Sequence, residues 1–203
     1  MNNKNKIGIL KLSNFGNINN IYKALEYCDA EVGFIENSKD FSKFDKIILP
    51  GVGSFYNQIE NLKKQNIKDE LIYNVSKKIT LGICIGMQLF ADYSEEFKKS
   101  EGLGIVNCGV KKIKTNKPLP VIGYNKIHIN KKIDLLKDID ENDEFYFMHS
   151  YALEFNSTIS ASTKYHDVEY PSVFSKENIY GVQFHIEKSK QSGIKIIKNF
   201  LKL

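Results

Sequence analysis

The sequence predicts an α/β protein: an open, mostly parallel central sheet with helices on both faces, extended by antiparallel strands in its C-terminal half. Three observations carry this reading. In the first half, short apolar runs alternate with stretches of helical periodicity, as in strand–helix–strand units that bury a parallel sheet on both sides. In the second half, short strand-like runs follow one another with few helices between them. The length of 203 residues, 42% of them hydrophobic and 26% charged, fits one globular domain over 1–203. A chain of that size buries about 70% of its unfolded surface without staples.

The elements follow in order. Ile7–Leu10 reads as a buried strand, and Asn17–Cys28 as a helix with Ile18, Ile21, Leu25 and Cys28 on one face. Val32–Ile35 and Lys46–Leu49 read as strands. Ser54 is placed to cap a helix carrying Phe55, Ile59 and Leu62, and a second helix carries Leu71, Ile72 and Val75. Ile79–Ile83 reads as a strand and Met87–Tyr93 as the start of another helix. Beyond that lie strand-like runs at 104–113, 121–129, 144–148, 158–163, 172–174 and 179–184, either added to the main sheet or forming a side sheet. Gly193–Leu203 closes the chain as a helix with Ile194, Ile197 and Leu201 on one face.

The net charge is +5, and all 29 basic residues are lysines. Arginine supplies the planar bidentate contacts that read bases and phosphates, so its absence argues against nucleic acid as the partner. The abundance of Lys, Asn and Ile fits AT-rich coding. Three cysteines make no disulfide framework and point to a reducing, cytosolic setting. The N-terminal apolar run is too short for a signal-peptide core. The longest uncharged stretch, Ile79–Ala91, has 13 residues and falls short of a membrane span. No metal-ligand spacing and no dinucleotide fingerprint occur, so no metal, cofactor or membrane is expected.

The sharpest local signal is Gly82-Ile83-Cys84-Ile85-Gly86, where a strand runs in and a helix runs out. This is the spacing of a nucleophile elbow with Cys in place of Ser. The turn exposes the sulfur at the carboxyl end of the strand, and the helix N-terminus favours thiolate. The competing reading is a small cysteine buried in a strand. Cys28 and Cys108 lack such a setting and read as core fillers. A thiol nucleophile needs a base. Among His128, His149, His166 and His185, the last ends an apolar strand and precedes Glu187 by two positions, a spacing that sets both side chains on one side of an extended chain. Alone, that pair is a weak signal and reads more readily as a surface His beside a Glu in a polar tail. Pro50-Gly51-Val52-Gly53-Ser54 follows another strand. Its glycines would let backbone N–H groups approach an oxyanion, or simply make a tight turn.

Together, Gly82 to Gln88, Phe184-His185-Ile186-Glu187 and Pro50 to Gly53 resemble the class I glutamine amidotransferases, and among them the glutaminase subunits of imidazole glycerol phosphate synthase. Gly16-Asn17-Ile18, Gly123-Tyr124-Asn125, Phe145 to Tyr151 and Gln183 to Ser189 extend the likeness over the whole chain. The resemblance implies a flavodoxin-like fold, a single amidotransferase domain, and hydrolysis of glutamine to glutamate and ammonia through a Cys84 thioester. It implies His185 as base and acid, and Glu187 as its orienting carboxylate. The oxyanion would meet N–H groups of Ile85 and of Val52 or Gly53. Gly51, Gln88, Glu96, His149, Ser150 and Tyr151 would grip glutamine, with Glu96 on its amino group and the backbone near Ser150 on its carboxylate. The ammonia would pass to a (β/α)8-barrel cyclase/synthase partner making imidazole glycerol phosphate and AICAR, with Asn17, Asn20, Tyr146 and Lys188 near that interface.

The chain departs from the usual pattern at three places. His185-Ile186-Glu187 stands where His-Pro-Glu is usual, Ile122-Gly123-Tyr124-Asn125 where Met-Gly-Trp-Asn is usual, and Leu12-Ser13-Asn14 where Asp-Tyr-Gly is usual. None removes a catalytic group. They leave open a paralogue that delivers ammonia in bacterial surface-sugar biosynthesis, because the acceptor site lies on another chain. A stand-alone thiol hydrolase is disfavoured by Gln88, Glu96 and Pro50–Gly53. A non-catalytic binding module is disfavoured by the intact Cys84, His185 and Glu187.

Overall fold

The computed structural model describes residues 6–12, 18–51 and 53–203. The first half alternates as expected: β1 (Lys6–Leu10), α1 (Ile18–Tyr27), β2 (Glu31–Ile35), β3 (Lys46–Leu49), α2 (Phe55–Lys64), α3 (Lys68–Val75) and β4 (Ile79–Ile83). The apolar stripes explain the helices. Ile18, Ile21 and Leu25 of α1 are buried, as are Phe55, Ile59 and Leu62 of α2, while their polar neighbours face out. The Ser54 side chain accepts from the Asn57 N–H and so caps α2, as its position before the apolar stripe suggests. Cys28 and Cys108 are half-buried against the core and unbridged.

One expectation fails. Helix α4 is a single turn, Ile85–Gln88, and the following residues form strand β5 (Ala91–Ser94) instead of a helix over 87–93. The reason lies downstream. The chain returns beside this segment, and the N–H groups of Leu103, Gly104 and Val106 donate to the carbonyls of Leu89, Ala91 and Phe90. Ladder bonds from β6 (Ser100–Glu101) and β7 (Val106–Lys112) then take the backbone groups that a helix would have used.

The second half continues with β8 (Val121–Lys126), β9 (His128–Ile129), β10 (Glu144–His149), β11 (Tyr151–Leu153), β12 (Ile159–Tyr165), β13 (Val168–Lys176), β14 (Ile179–Val182) and α5 (Lys190–Lys202). The run at 121–129 is therefore two strands, and they belong to different sheets. Both arrangements left open for this half occur together. The main sheet has the order β2-β1-β3-β4-β14-β13-β12-β9, while β8 and β10 form a two-stranded ribbon and β11-β7-β5-β6 a side sheet. Strands β2, β1, β3, β4 and β14 run parallel, and β13, β12 and β9 add antiparallel.

The decisive feature for function is the insertion of β14 beside β4. Their register pairs Val182 with Ile83, and the Cys84 N–H donates to the Val182 carbonyl at 2.8 Å. On the other side of β4, Leu49 of β3 pairs with Gly82. The carboxyl ends of β3, β4 and β14 thus deliver Gly51, Cys84 and His185 to one edge of the sheet, where open α/β sheets hold their ligands.

Candidate active site

Cys84 sits between β4 and α4 with φ 53° and ψ −111°, a backbone region that non-glycine residues rarely visit. Two glycines make this turn possible through close approach. A side chain at Gly86 would run into the Leu49 carbonyl. One at Gly51 would run into the Ile83 carbonyl and fill the space before the Ile85 and Gly86 amides. Gly51 therefore keeps open the side from which an oxyanion would reach the Ile85 N–H. Gly53 adopts φ 86°. Val52, expected to offer a second N–H, lies outside the described residues.

The Cys84 thiol and the His185 imidazole face the same cavity and lie near enough for the sulfur to act on the ring. His185 Nδ1 lies 2.9 Å from Glu187 Oε1, so Nε2 is the nitrogen left for sulfur. The Glu187 side chain is fully buried. Its position differs from the expectation in one respect. His185 is extended, but Ile186–Lys188 is a turn of 3₁₀ helix, so the carboxylate reaches the ring by the chain folding back under it. Ile186, in the place of the usual proline, is buried in the core. Burial is the strongest influence on His185 and opposes its charge. The hydrogen bonds and the attraction of Cys84 and Glu187 together outweigh it and push the imidazole up to about 10. Burial pushes Cys108 up to about 11 and raises Cys28 as well, so neither is poised as a nucleophile.

A cavity of about 530 Å³ opens over this pair. Its lining gathers Gly51, Gly53, Cys84, Ile85, Gln88, Glu96, His149, Ser150, Tyr151, His185 and Lys188, most of the residues singled out from the sequence. Pro120 and Met148 also line it; Met148 lies within the Phe145 to Tyr151 motif but has no role assigned there, and no sequence signal marks Pro120. Glu96 Oε2 accepts the Phe55 N–H at the start of α2 at 2.7 Å. Burial raises the Glu96 carboxyl despite that bond, so a cationic group arriving beside it would be welcomed. Gln88 Nε2 donates to the Tyr151 carbonyl (2.8 Å) and to Gln183 Oε1 (3.0 Å), which leaves its buried Oε1 as the only polar atom free for a ligand. His149 Nδ1 donates to the same Tyr151 carbonyl at 2.9 Å. Its Nε2 is buried without a partner.

The residues expected at a partner interface are less concentrated. Asn17 lies outside the described residues. Asn20 is on the exposed side of α1. Tyr146 lies directly behind the reactive pair, its carbonyl accepting the His185 N–H at 2.8 Å, and the Lys188 ammonium sits over its ring.

A thiol at a strained strand–helix turn, a buried imidazole–carboxylate pair and amides before the sulfur define a thiol hydrolase site of the acyl-transfer type. Residues 11–203 match the family Glutamine amidotransferase class-I. The chain is similar to the imidazole glycerol phosphate synthase subunit HisH of Methanocaldococcus jannaschii, 40% identical over 97% of this chain and 99% of that one. It is also similar to the protein of the same name from Caldanaerobacter subterraneus, 38% identical over 96% of each chain. The fold matches a chain in the structure of PurLQS from Thermotoga maritima, with TM-score 0.77 and 15% identity over 98% of each chain. The chain belongs to the class I glutamine amidotransferases and, within them, to the HisH family.

Proposed function

We propose that this chain is the glutaminase subunit of an imidazole glycerol phosphate synthase, serving histidine biosynthesis in the cytoplasm. The observation that carries it is the joining of Cys84, His185 and Glu187 under a cavity that also holds Gly51, Gln88, Glu96, Ser150 and Tyr151. Among the described residues no helix is long and apolar enough to cross a membrane.

In the mechanism that the geometry supports, His185 takes the Cys84 proton and the sulfur attacks the side-chain amide carbon of glutamine. The resulting oxyanion points to the Ile85 N–H and to the Gly53 segment. The imidazolium, held by Glu187, then gives its proton to the departing nitrogen as the tetrahedral intermediate collapses. Ammonia leaves and a glutamyl thioester remains. His185 next draws a proton from water, which adds to the thioester and releases glutamate and the thiol. Glu96 suits the ammonium end of the substrate, and the Ser150–Tyr151 backbone its carboxylate.

Ammonia is useful to a synthase only if it is not lost to water. The ribbon of β8 and β10 bears on where a partner docks. Its inner face buries Phe145, Phe147 and His149. Its outer face pairs Ile122 with Met148 and Tyr124 with Tyr146, and of these Ile122, Tyr124 and Met148 are exposed. An exposed apolar stripe that reaches the cavity at Met148 fits a docked (β/α)8-barrel cyclase/synthase that receives ammonia directly.

The test uses the chain with its synthase partner. Cys84→Ala is expected to abolish synthesis driven by glutamine and to leave synthesis driven by added ammonia near the wild-type rate. A Cys84→Ala complex still fully active on glutamine would overturn the proposal.

A further inference from the structure

One buried amide beside the reactive sulfur is not needed by the steps above. Gln183 follows β14 and is wholly buried. The default occupant of such a position is apolar, because an amide there costs desolvation unless its atoms are bonded. Both ends of the Gln183 side chain are bonded. Oε1 accepts from Gln88 Nε2 at 3.0 Å, and Nε2 points at Cys84 Sγ at 3.7 Å.

The direction of these bonds is dictated from outside the pair. The Tyr151 carbonyl can only accept, so the Gln88 atom 2.8 Å from it must be nitrogen. The second hydrogen of that nitrogen then goes to Gln183, which must present oxygen. The amide nitrogen of Gln183 is thereby left facing sulfur and cannot turn round without setting its N–H donors against those of Gln88 and its oxygen against the sulfur. The β4–β14 register brings the two side chains together although they lie 99 positions apart.

We infer that Gln183 is a thiolate-stabilising residue, a fixed N–H donor to Cys84 Sγ whose orientation is set through Gln88 by the Tyr151 carbonyl. A donor in a dry setting favours sulfur with a full negative charge over the neutral thiol. His185 takes the proton, and Gln183 solvates the charge that remains on the sulfur. The same carbonyl accepts from His149, so the segment lining the substrate's carboxylate end and the sulfur share one hydrogen-bond chain.

This inference rests on the reading of Cys84 as the nucleophile, and the test separates the two. Alkylation of Cys84 by iodoacetamide is followed against pH by peptide mass spectrometry on the full-length chain. It is run for wild type, Gln183→Met, Gln183→Glu and Gln88→Leu, each first checked for cooperative thermal unfolding. Both Gln183 variants are expected to move the rising limb to higher pH by about one unit, about tenfold slower alkylation on that limb. Gln88→Leu keeps Gln183 but frees its direction, and is expected to give a smaller shift the same way. Curves that superpose on wild type in the variants that fold, even with lowered melting temperatures, would overturn the role of Gln183. A wild-type curve like that of an ordinary free thiol would instead overturn Cys84 as an activated nucleophile, and Gln183 with it.

Discussion

His149 and His185 line the same cavity, yet their environments drive them in opposite directions. Burial holds His149 down to about 4, with the charge of His185 adding to it and the Tyr151 carbonyl opposing. An unfolded histidine titrates near 6.5. Between about 6.5 and 4 the unfolded chain takes up a proton that folded His149 refuses, so stability falls as pH falls through that window, by about 3 kcal/mol. His185, raised to about 10, contributes stability that is fully present below about 6.5 and is lost as pH rises toward 10. Stability should therefore peak near the point where the two windows meet. Urea midpoints measured against pH are expected to flatten on the acid side in His149→Asn and on the alkaline side in His185→Gln. An unchanged acid limb in His149→Asn would refute the assignment.

At the scale of elements, lysines finish what the helices leave open. Lys46 of β3 is buried, and its ammonium donates to the Phe200 and Leu201 carbonyls at 3.0 Å each, in the last turn of α5. Burial lowers the Lys46 ammonium, and the helix end compensates by supplying two acceptors and negative dipole. Lys46→Met removes both donors from buried carbonyls and is expected to cost about 1–3 kcal/mol in chemical denaturation. A loss within error would mean that water replaces the ammonium. How far the elements could be read from sequence follows the same logic of local against distant partners. The elements of the first half were legible because each carries its own period: Lys46–Leu49 and Ile79–Ile83 were legible to the residue. Ala91–Ser94 was not, because its strand character comes from β6 and β7 rather than from its own side chains. In the site, Cys84 was legible from the glycines that its turn requires. His185 and Glu187 were legible as a spacing, although a 3₁₀ turn and not an extended chain joins them. Gln183 looked like part of a motif only, since its role depends on a strand register that no local pattern encodes. Met148 likewise stood in a motif without a role, and Pro120 was invisible.

For the molecule as a whole, the proposed catalytic residues and the proposed docking ribbon are adjacent. The outer face of the β8–β10 ribbon ends at Lys188 and Lys190. The Lys190 ammonium sits over the Tyr124 ring, and the Tyr124 hydroxyl donates to the Lys188 carbonyl. Tyr146 on that ribbon holds the His185 N–H. A partner docked on the ribbon, as proposed, would bear on His185 through this bond. Glutaminase turnover of the isolated chain is accordingly expected to be low and to rise with partner and acceptor bound, on the order of 10- to 100-fold, the usual range of coupling between sites. Steady-state ammonia release with and without the partner measures this, and equal rates would contradict it.

The slot that β14 fills also governs when the protein can begin to work. A ribosome that has released β1 to β4 has already made the elbow, but the neighbour that brings an imidazole to it is among the last strands synthesised. Until then the edge of β4 is bare and the sulfur has no proton acceptor. On the proposed roles of Cys84 and His185, chains that lack β14 would spare cellular glutamine, because the order of translation withholds the base from the thiol until the sheet is almost finished.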